Sequence, residues 1–221
     1  MKRCKTILVC GSSIDGKISV GRNISSKEFG QYLPKNLDFE LHKIRSVVDG
    51  ILVSINTIIT DNPSLTVRKL AFSKNPVRVL LDRQGKVPKE SKILNKKAKT
   101  IILTSSLGYK RLKRKIKNNI KIIICKEKNN KIDLIDAFQK LKERKINTLL
   151  IEGGGKLNNS LFKENLVDKF IVFYFPIIVG GKNTPTVVDG SGSFYPNLIK
   201  MKLKNLKKIG SIVINTYKNE K

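Results

Sequence analysis

Tryptophan is absent from the sequence, histidine occurs once, methionine twice and cysteine three times. The lone His42 removes a histidine-built metal cluster from consideration, because such sites need several ligands at set spacings. Cys4, Cys10 and Cys125 are odd in number and contain no Cys-x-x-Cys pair, so neither a disulfide framework nor a zinc site follows. Aromatic residues make up 6% of the chain and do not alternate with basic ones, which argues against a base-stacking platform. No apolar run approaches the ~18 residues of a membrane span. The apolar part of the N-terminal M-K-R-C-K-T-I-L-V-C-G is too short for a signal peptide. A reducing cytoplasm, with no membrane partner and no metal, is the expectation.

Acidic residues are scarce as well: 17 against 45 basic, a formal net charge of +28 in 221 residues. Such an excess invites a nucleic-acid reading. The lysines, however, run from Lys2 to Lys221 over the polar faces of ordinary elements. They describe a surface that attracts polyanions, phosphorylated small molecules included, without selecting among them. No specific nucleic-acid partner is expected.

What the chain does contain is organised around Thr148–Leu161, T-L-L-I-E-G-G-G-K-L-N-N-S-L. An apolar run reads as a buried strand, ends at Glu152 and breaks into Gly153, Gly154 and Gly155. Leu157, Leu161, Phe162 and Leu166 then recur as one face of a helix. Strand, glycine turn and helix start form a pocket shape for an anionic group, because glycine admits close approach and the first helical N–H groups are unpaired. A tight turn that binds nothing explains the glycines equally well, since the spacing is not G-x-G-x-x-G.

Elsewhere strands alternate with helices. Ile7–Cys10, Ile51–Val53, Val77–Leu81, Thr100–Thr104 and Ile120–Cys125 read as strands. A helical stretch begins near Ser25 or Ser26 and runs through Phe29, Leu33, Leu37, Leu41, Ile44 and Val48, divided by Pro34. His42, at its end, reads as a polar surface residue. Ser64–Arg68 reads as a β-branched segment with Arg68 at its mouth, suited to phosphate capture. Tyr109–Lys117 reads as a covering helix with Leu112 and Ile116 inward, and Asp133–Arg144 as a helix burying Leu134, Phe138 and Leu141. Lys169–Val179 is one apolar strand whose surplus apolar surface suggests a dimer contact. Leu198–Leu206 and Ser211–Tyr217 alternate as an antiparallel hairpin with one face buried.

The expected class is α/β with a mainly parallel sheet, where ligands sit at the carboxyl ends of the strands. Asp15, Thr57, Asp61, Asp82, Ser105 and Glu152 with its glycines all fall at such ends. Asp15, in the turn Asp15-Gly16, reads on spacing alone as a carboxylate capping its own backbone. Thr57 and Asp61 point the same way from one helical turn. Asp82 suits a ribose diol, whereas the adjacent Arg83 suits a 2′-phosphate.

Taken in order, these motifs resemble a known family. They are Ser13-Ile14-Asp15-Gly16-Lys17; His42-Lys43-Ile44-Arg45 through Asp49-Gly50; and Thr57 with Asp61-Asn62-Pro63-Ser64-Leu65-Thr66-Val67-Arg68. Asn75-Pro76-Val77-Arg78-Val79 to Asp82, Glu152-Gly153-Gly154-Gly155 with Leu157-Asn158, and Gly180-Gly181-Lys182 complete the series. The chain is similar over nearly its whole length to the pyrimidine reductases of riboflavin biosynthesis, and most to their stand-alone archaeal-type branch. That resemblance implies a dihydrofolate-reductase-like fold: a mainly parallel central sheet flanked by helices, with an antiparallel C-terminal hairpin. It implies one reductase domain over 1–221, without the zinc deaminase domain whose His-x-Glu and Cys-x-x-Cys signatures are absent.

The activity implied is NADPH-dependent reduction, NADH being the other possible donor, of the ribosylamino group of 2,5-diamino-6-ribosylamino-4(3H)-pyrimidinone 5′-phosphate, by a homodimer. Cofactor contacts carry over to Thr57, Asp61, Leu81, Asp82, Arg83, Gln84, Gly153, Gly154, Gly155 and Lys156. Substrate contacts carry over to Arg45, Arg68 and Glu152. Ser54 and Asn56 stand where the archaeal-type enzymes often show glycines, and Lys156 where a small residue follows. Reduction of a ring-opened glycosylamine at ribose C1′ needs alignment, exclusion of water and a proton for the amine nitrogen. Asp15 and Lys17 are the candidates for relaying that proton; no catalytic residue is assigned. A dihydrofolate-reductase-like enzyme acting on another heterocycle and a charge-driven nucleic-acid-binding protein are the rival readings.

Overall fold

A computed structural model of the chain describes residues 3–25, 28, 31, 37–71, 73–116, 120–190, 192 and 194–220. The expected helical positions Phe29, Leu33 and Pro34 lie outside them. The fold is α/β, with mainly parallel strands, flanking helices and an antiparallel pair at the C-terminus. The chain divides into two units: Met1–Lys5 with Lys35–Leu150, and Thr6–Pro34 with Ile151–Lys221.

In the first unit the apolar runs become strands β2 (Gly50–Ser54), β3 (Val77–Leu81), β4 (Thr100–Thr104) and β5 (Ile120–Ile124), paired in parallel in that order. β8 (Thr148–Ile151) lies beside β2. Ile51, Leu52, Val53, Val79, Leu80, Ile102, Leu103, Leu149 and Leu150 are all buried. Their runs are continuous rather than alternating because both faces of these strands are covered. Each such side chain contributes roughly 1.5–3 kcal/mol by leaving water.

The helices of this unit are α1 (Leu37–Ser46), α2 (Ile55–Asp61), α3 (Ser106–Lys115) and α4 (Leu134–Lys142). α3 buries Gly108 and Leu112 and presents Lys110, Arg111, Lys113 and Arg114 outward, whereas Ile116 is its C-cap. α4 starts where Asp133 accepts hydrogen bonds from the backbone N–H groups of Ile135 and Asp136, and it buries Leu134, Phe138 and Leu141. A two-residue ladder, β6 (Glu127–Lys128) with β7 (Lys131–Ile132), was not anticipated from the sequence. Ser64–Arg68, expected to be extended, is irregular: Leu65 has φ +49°, which no strand accommodates.

In the second unit β1 (Lys5–Ser13) pairs in parallel with β9 (Lys169–Phe175). Antiparallel β11 (Ile212–Asn219) and β10 (Met201–Ile209) extend it on the other side. β9 stops at Phe175 because Pro176 has no N–H to give a ladder, so the apolar Ile177–Val179 enters a loop. The C-terminal hairpin is present, but its first strand is exposed along most of its length instead of burying one face. Helix α5 (Gly155–Lys163) packs Leu161 and Phe162 inward, and Phe162 meets Phe170 edge-on at 5.6 Å.

Candidate active site

In the first unit, two of the expected substrate residues meet at one threonine. Arg45, on α1, is buried and donates from Nη1 to the Thr66 carbonyl at 3.4 Å. Arg68 is exposed and donates from Nη1 to Thr66 Oγ1 at 3.2 Å. Its own backbone N–H donates to His42 Nδ1 at 3.0 Å. His42 is therefore not the surface residue its sequence position suggests: it is 1% exposed, and its ring holds the Arg68 backbone from three residues before Arg45 on the same helix face. His42 and Thr66 were missed by the sequence reading. The i, i+3 spacing of His42 and Arg45 was the available signal for the first; Thr66 carried none.

At the carboxyl end of β2, Ser54 is the N-cap of α2 without a side-chain capping bond, and its Oγ lies 3.5 Å from Thr57 Oγ1. Thr57 and Asp61 are both half-buried on that helix. After β3 the chain turns sharply. Asp82 is fully buried and accepts from Lys86 N (2.9 Å) and Val87 N (2.8 Å), one on each oxygen. Its carboxylate therefore closes the turn and does not face outward for a diol, which corrects the expectation for that side chain. Gly85 has φ +67°, and a Cβ there would stand 2.6 Å from the Gly108 carbonyl, so only glycine fits between turn and helix α3. Leu81 is buried and Gln84 half-buried. The Gln84 carbonyl accepts from Arg111 at 3.2 Å, and Arg83 pairs with Glu127 at 3.0 Å, both side chains part-exposed.

In the second unit, Asp15 accepts from Ser13 Oγ (2.6 Å), Val179 N (3.1 Å) and Gly180 N (2.7 Å). The Ser13 hydroxyl chiefly, and then the two amides, hold its pKa down at about 2 against an ordinary 3.8. The carboxylate is thus a loop clamp, ionised at neutral pH and not a proton donor, and it also takes its own backbone N–H as the turn reading expected. Lys17 donates from Nζ to the Gly181 carbonyl at 2.9 Å. Both proton-relay candidates are engaged with the Gly180–Gly181 turn.

The three glycines differ in what surrounds them. Gly154, N-cap of α5, has open space where a Cβ would point. A Cβ on Gly155 would stand 2.2 Å from the Thr186 carbonyl oxygen, and one on Gly153 would stand 2.8 Å from Leu157. Gly155 therefore serves packing, and Gly154 leaves a surface bare. Glu152 is half-buried just ahead of them, and Lys156 is exposed in the first turn of the helix. Asn158, fully buried, donates from Nδ2 to the Val187 carbonyl at 2.8 Å.

Two of the three thiols are poor nucleophiles. Burial pushes the Cys10 thiol up to about 12 and Cys125 up to about 11, so both stay protonated. Among the described residues no group of three or more His, Cys, Asp or Glu side chains could hold a metal ion, and no helix is long and apolar enough to cross a membrane.

Residues 5–214 match the model of the RibD C-terminal domain. A 2,5-diamino-6-ribosylamino-4(3H)-pyrimidinone 5′-phosphate reductase of Aquifex aeolicus is 38% identical over 208 residues, covering 93% of this chain and 92% of the relative. The reductase of the same name from Archaeoglobus fulgidus is 32% identical, covering 90% of each. In structure, the chain is similar to a diaminohydroxyphosphoribosylaminopyrimidine deaminase/5-amino-6-(5-phosphoribosylamino)uracil reductase of Thermotoga maritima, with a TM-score of 0.79 and 25% identity. The match takes in 98% of this chain and 57% of that one, so the chain spans little more than half of the two-activity protein. The expected dihydrofolate-reductase-like α/β architecture holds, and the chain belongs to the RibD C-terminal domain family of riboflavin-biosynthesis reductases.

Proposed function

We propose that the chain reduces the ribosylamino group of 2,5-diamino-6-ribosylamino-4(3H)-pyrimidinone 5′-phosphate to the ribitylamino product, with NADPH as donor and NADH as the alternative. The observation that carries this reading is the 38% identity, over more than nine-tenths of both chains, to a reductase of that name. The residues present fit a dinucleotide: Gly154 leaves open backbone at the head of a helix, where unpaired N–H groups favour a pyrophosphate. In the second unit Gly153, Gly154, Gly155 and Lys156 are the proposed cofactor contacts. In the first they are Thr57, Asp61, Leu81, Arg83, Gln84 and the backbone, not the carboxylate, of Asp82. Bound there, a reduced nicotinamide supplies the hydride.

Arg68, exposed and oriented by His42 and Thr66, binds the 5′-phosphate; buried Arg45 supports it through Thr66 and adds positive charge. Glu152 orients the pyrimidine or the sugar hydroxyls. Asp15 is engaged as an ionised clamp, which leaves Lys17 as the proton-relay candidate of the two.

A homodimer is part of the proposal, but its surface shifts from β9, whose Ile171, Val172, Phe173 and Phe175 are buried within the chain. A bulge between Leu203 and Asn205 pairs Leu203 with Tyr217 and Leu206 with Asn215, so both leucines fall on one face of β10. They are 49% and 58% exposed, an apolar surface that a second copy would cover. Sedimentation of Leu206→Lys against the unaltered chain tests it. A cytoplasmic location is part of the same reading and agrees with Cys4, Cys10 and Cys125 being buried.

The deciding experiment is NADPH oxidation followed by absorbance with a panel of heterocycles. Turnover is expected with the phosphorylated ribosylaminopyrimidine and not with dihydrofolate. Turnover with dihydrofolate alone would place the chain with reductases of another heterocycle.

A further inference from the structure

Residues 177–190 leave β9 and run as a strap fastened at both ends. At the first end, Asp15 takes the N–H groups of Val179 and Gly180, and Lys17 Nζ takes the Gly181 carbonyl. Thr184 Oγ1 bonds the carbonyls of Gly180 (2.5 Å) and Gly181 (2.6 Å), closing a turn whose two glycines have φ +72° and +80°. Ile14 N donates to the Ile177 carbonyl, Lys17 bridges Thr186, and Val187 N donates to the Gly16 carbonyl at 3.1 Å. At the second end, Asp189 N donates to the Gly155 carbonyl at 3.0 Å and the Val187 carbonyl accepts from Asn158. Asn158 Oδ1 lies 3.3 Å from the place of a Cβ on Gly153, and among the described residues it has no hydrogen-bond partner. The side chain is therefore pressed behind the glycine bend by its single bond to the strap.

We propose that Asp15 is a positioning residue: its carboxylate fixes the strap, and the strap fixes the bend Gly153–Gly155 in the shape that receives the dinucleotide. The inference rests on the dinucleotide reading above for what the bend binds, but not for the mechanical link. That link runs by hydrogen bonds from Asp15 through Gly180 to Thr184, along the strap backbone to Val187 and Asp189, and from there by hydrogen bonds to Asn158 and the Gly155 carbonyl, with Asn158 packed behind Gly153. A loosened strap frees Asn158 and the Gly155 carbonyl, and the bend then samples shapes that bind the dinucleotide less well. The hydride-transfer step itself does not involve Asp15.

Asp15→Ala and Asp15→Asn in the full chain test this, with Thr184→Val as a milder way of loosening the same turn should Asp15→Ala fail to fold. Hydrogen exchange should rise in both 177–190 and 153–158, by about tenfold or more in Asp15→Ala and less in Asp15→Asn, which keeps one acceptor oxygen. The KM for NADPH should rise about fivefold while kcat at saturating NADPH stays within about twofold. A fall in kcat with unchanged KM would mark Asp15 as a proton-transfer group and overturn the proposal. Faster exchange confined to 177–190 would overturn it as well, since a purely structural clamp moves nothing at the bend. If the unaltered chain fails to bind NADPH, the dinucleotide reading falls, and the linked exchange of 177–190 and 153–158 alone decides the strap.

Discussion

Each unit holds a loop in place with one charged side chain bonded to neutral or backbone groups, and the two clamps are built in opposite ways. In the first unit Arg78, at the amino ends of β3 and β4, is 1% exposed. It donates to Thr100 Oγ1, to Asn95 Oδ1 and to the carbonyls of Lys92, Asn95 and Ala98. Among the described residues all its partners are neutral oxygens, and burial presses its pKa down. In the second unit Asp15 clamps with a carboxylate in reach of water, at the carboxyl end of β1. The contrast separates stability from shape. A buried guanidinium that satisfies five acceptors cannot be removed without stranding them, whereas a solvated carboxylate sets the path of the strap, and through it the bend, at little cost to overall stability.

The largest expected effect follows directly. Arg78→Met strands the Lys92, Asn95 and Ala98 carbonyls and should destabilise the chain by about 3–5 kcal/mol, measured by urea unfolding. KM values for either ligand should not change in the fraction that folds. If Arg78→Met cost no more than Asp15→Asn, the distinction between the two clamps would collapse.

The glycines sharpen it next. Gly155→Ala forces a Cβ against the Thr186 carbonyl and Asp189, and overpacking against backbone should cost about 2–3 kcal/mol. Gly154→Ala meets open space at φ −85° and should leave the unfolding midpoint in place while weakening NADPH several-fold. Adjacent residues then answer to different measurements. A stability loss at Gly154, or a purely affinity effect at Gly155, would reverse their assignments.

Within the first unit, Arg68→Ala should raise the KM of the phosphorylated substrate about tenfold or more, the ~1.5–3 kcal/mol of a charged hydrogen bond, with NADPH binding nearly intact. Arg45→Ala should add a stability loss, because Arg45 is buried against Thr66 and Arg68 is not. Equal losses for substrate and cofactor in Arg68→Ala would remove the phosphate assignment.

What the sequence made legible was local. Val77–Leu81 and Thr100–Thr104 were readable to the residue because each is mostly apolar and β-branched and too short for a buried helix, although Arg78 interrupts the first. Leu134, Phe138 and Leu141 were readable because one helical face repeats. The Lys169–Val179 reading overran because apolar content does not register that Pro176 cannot join a ladder. Ser64–Arg68 failed because β propensity says nothing of the positive φ at Leu65. The site residues were found as types but not as contacts. His42 reaches Arg68 across 26 positions and Asp15 reaches Gly180 across 165, and no periodicity encodes such separations. Asp82 shows the cost: the same carboxylate at a strand end serves a ribose or its own turn, and only the positions of Lys86 N and Val87 N tell which.

The smallest effect is acid sensitivity, and it also divides the clamps. Asp15 has a folded pKa of about 2, below its ordinary 3.8, so its ionised form is the one the fold favours. Its contribution is complete above pH 3.8 and is lost as pH falls through about 2. The Arg78 clamp contains no carboxylate and contributes the same at either end. Thermal unfolding of the unaltered chain and of Asp15→Asn, run from pH 5 down to pH 2, should show midpoints that differ at the upper end and merge at the lower. Parallel curves would mean that the carboxylate's charge contributes nothing to the clamp. The strap would then be held by the geometry of its two left-handed glycines and by Thr184, leaving Asp15 as one acceptor among several.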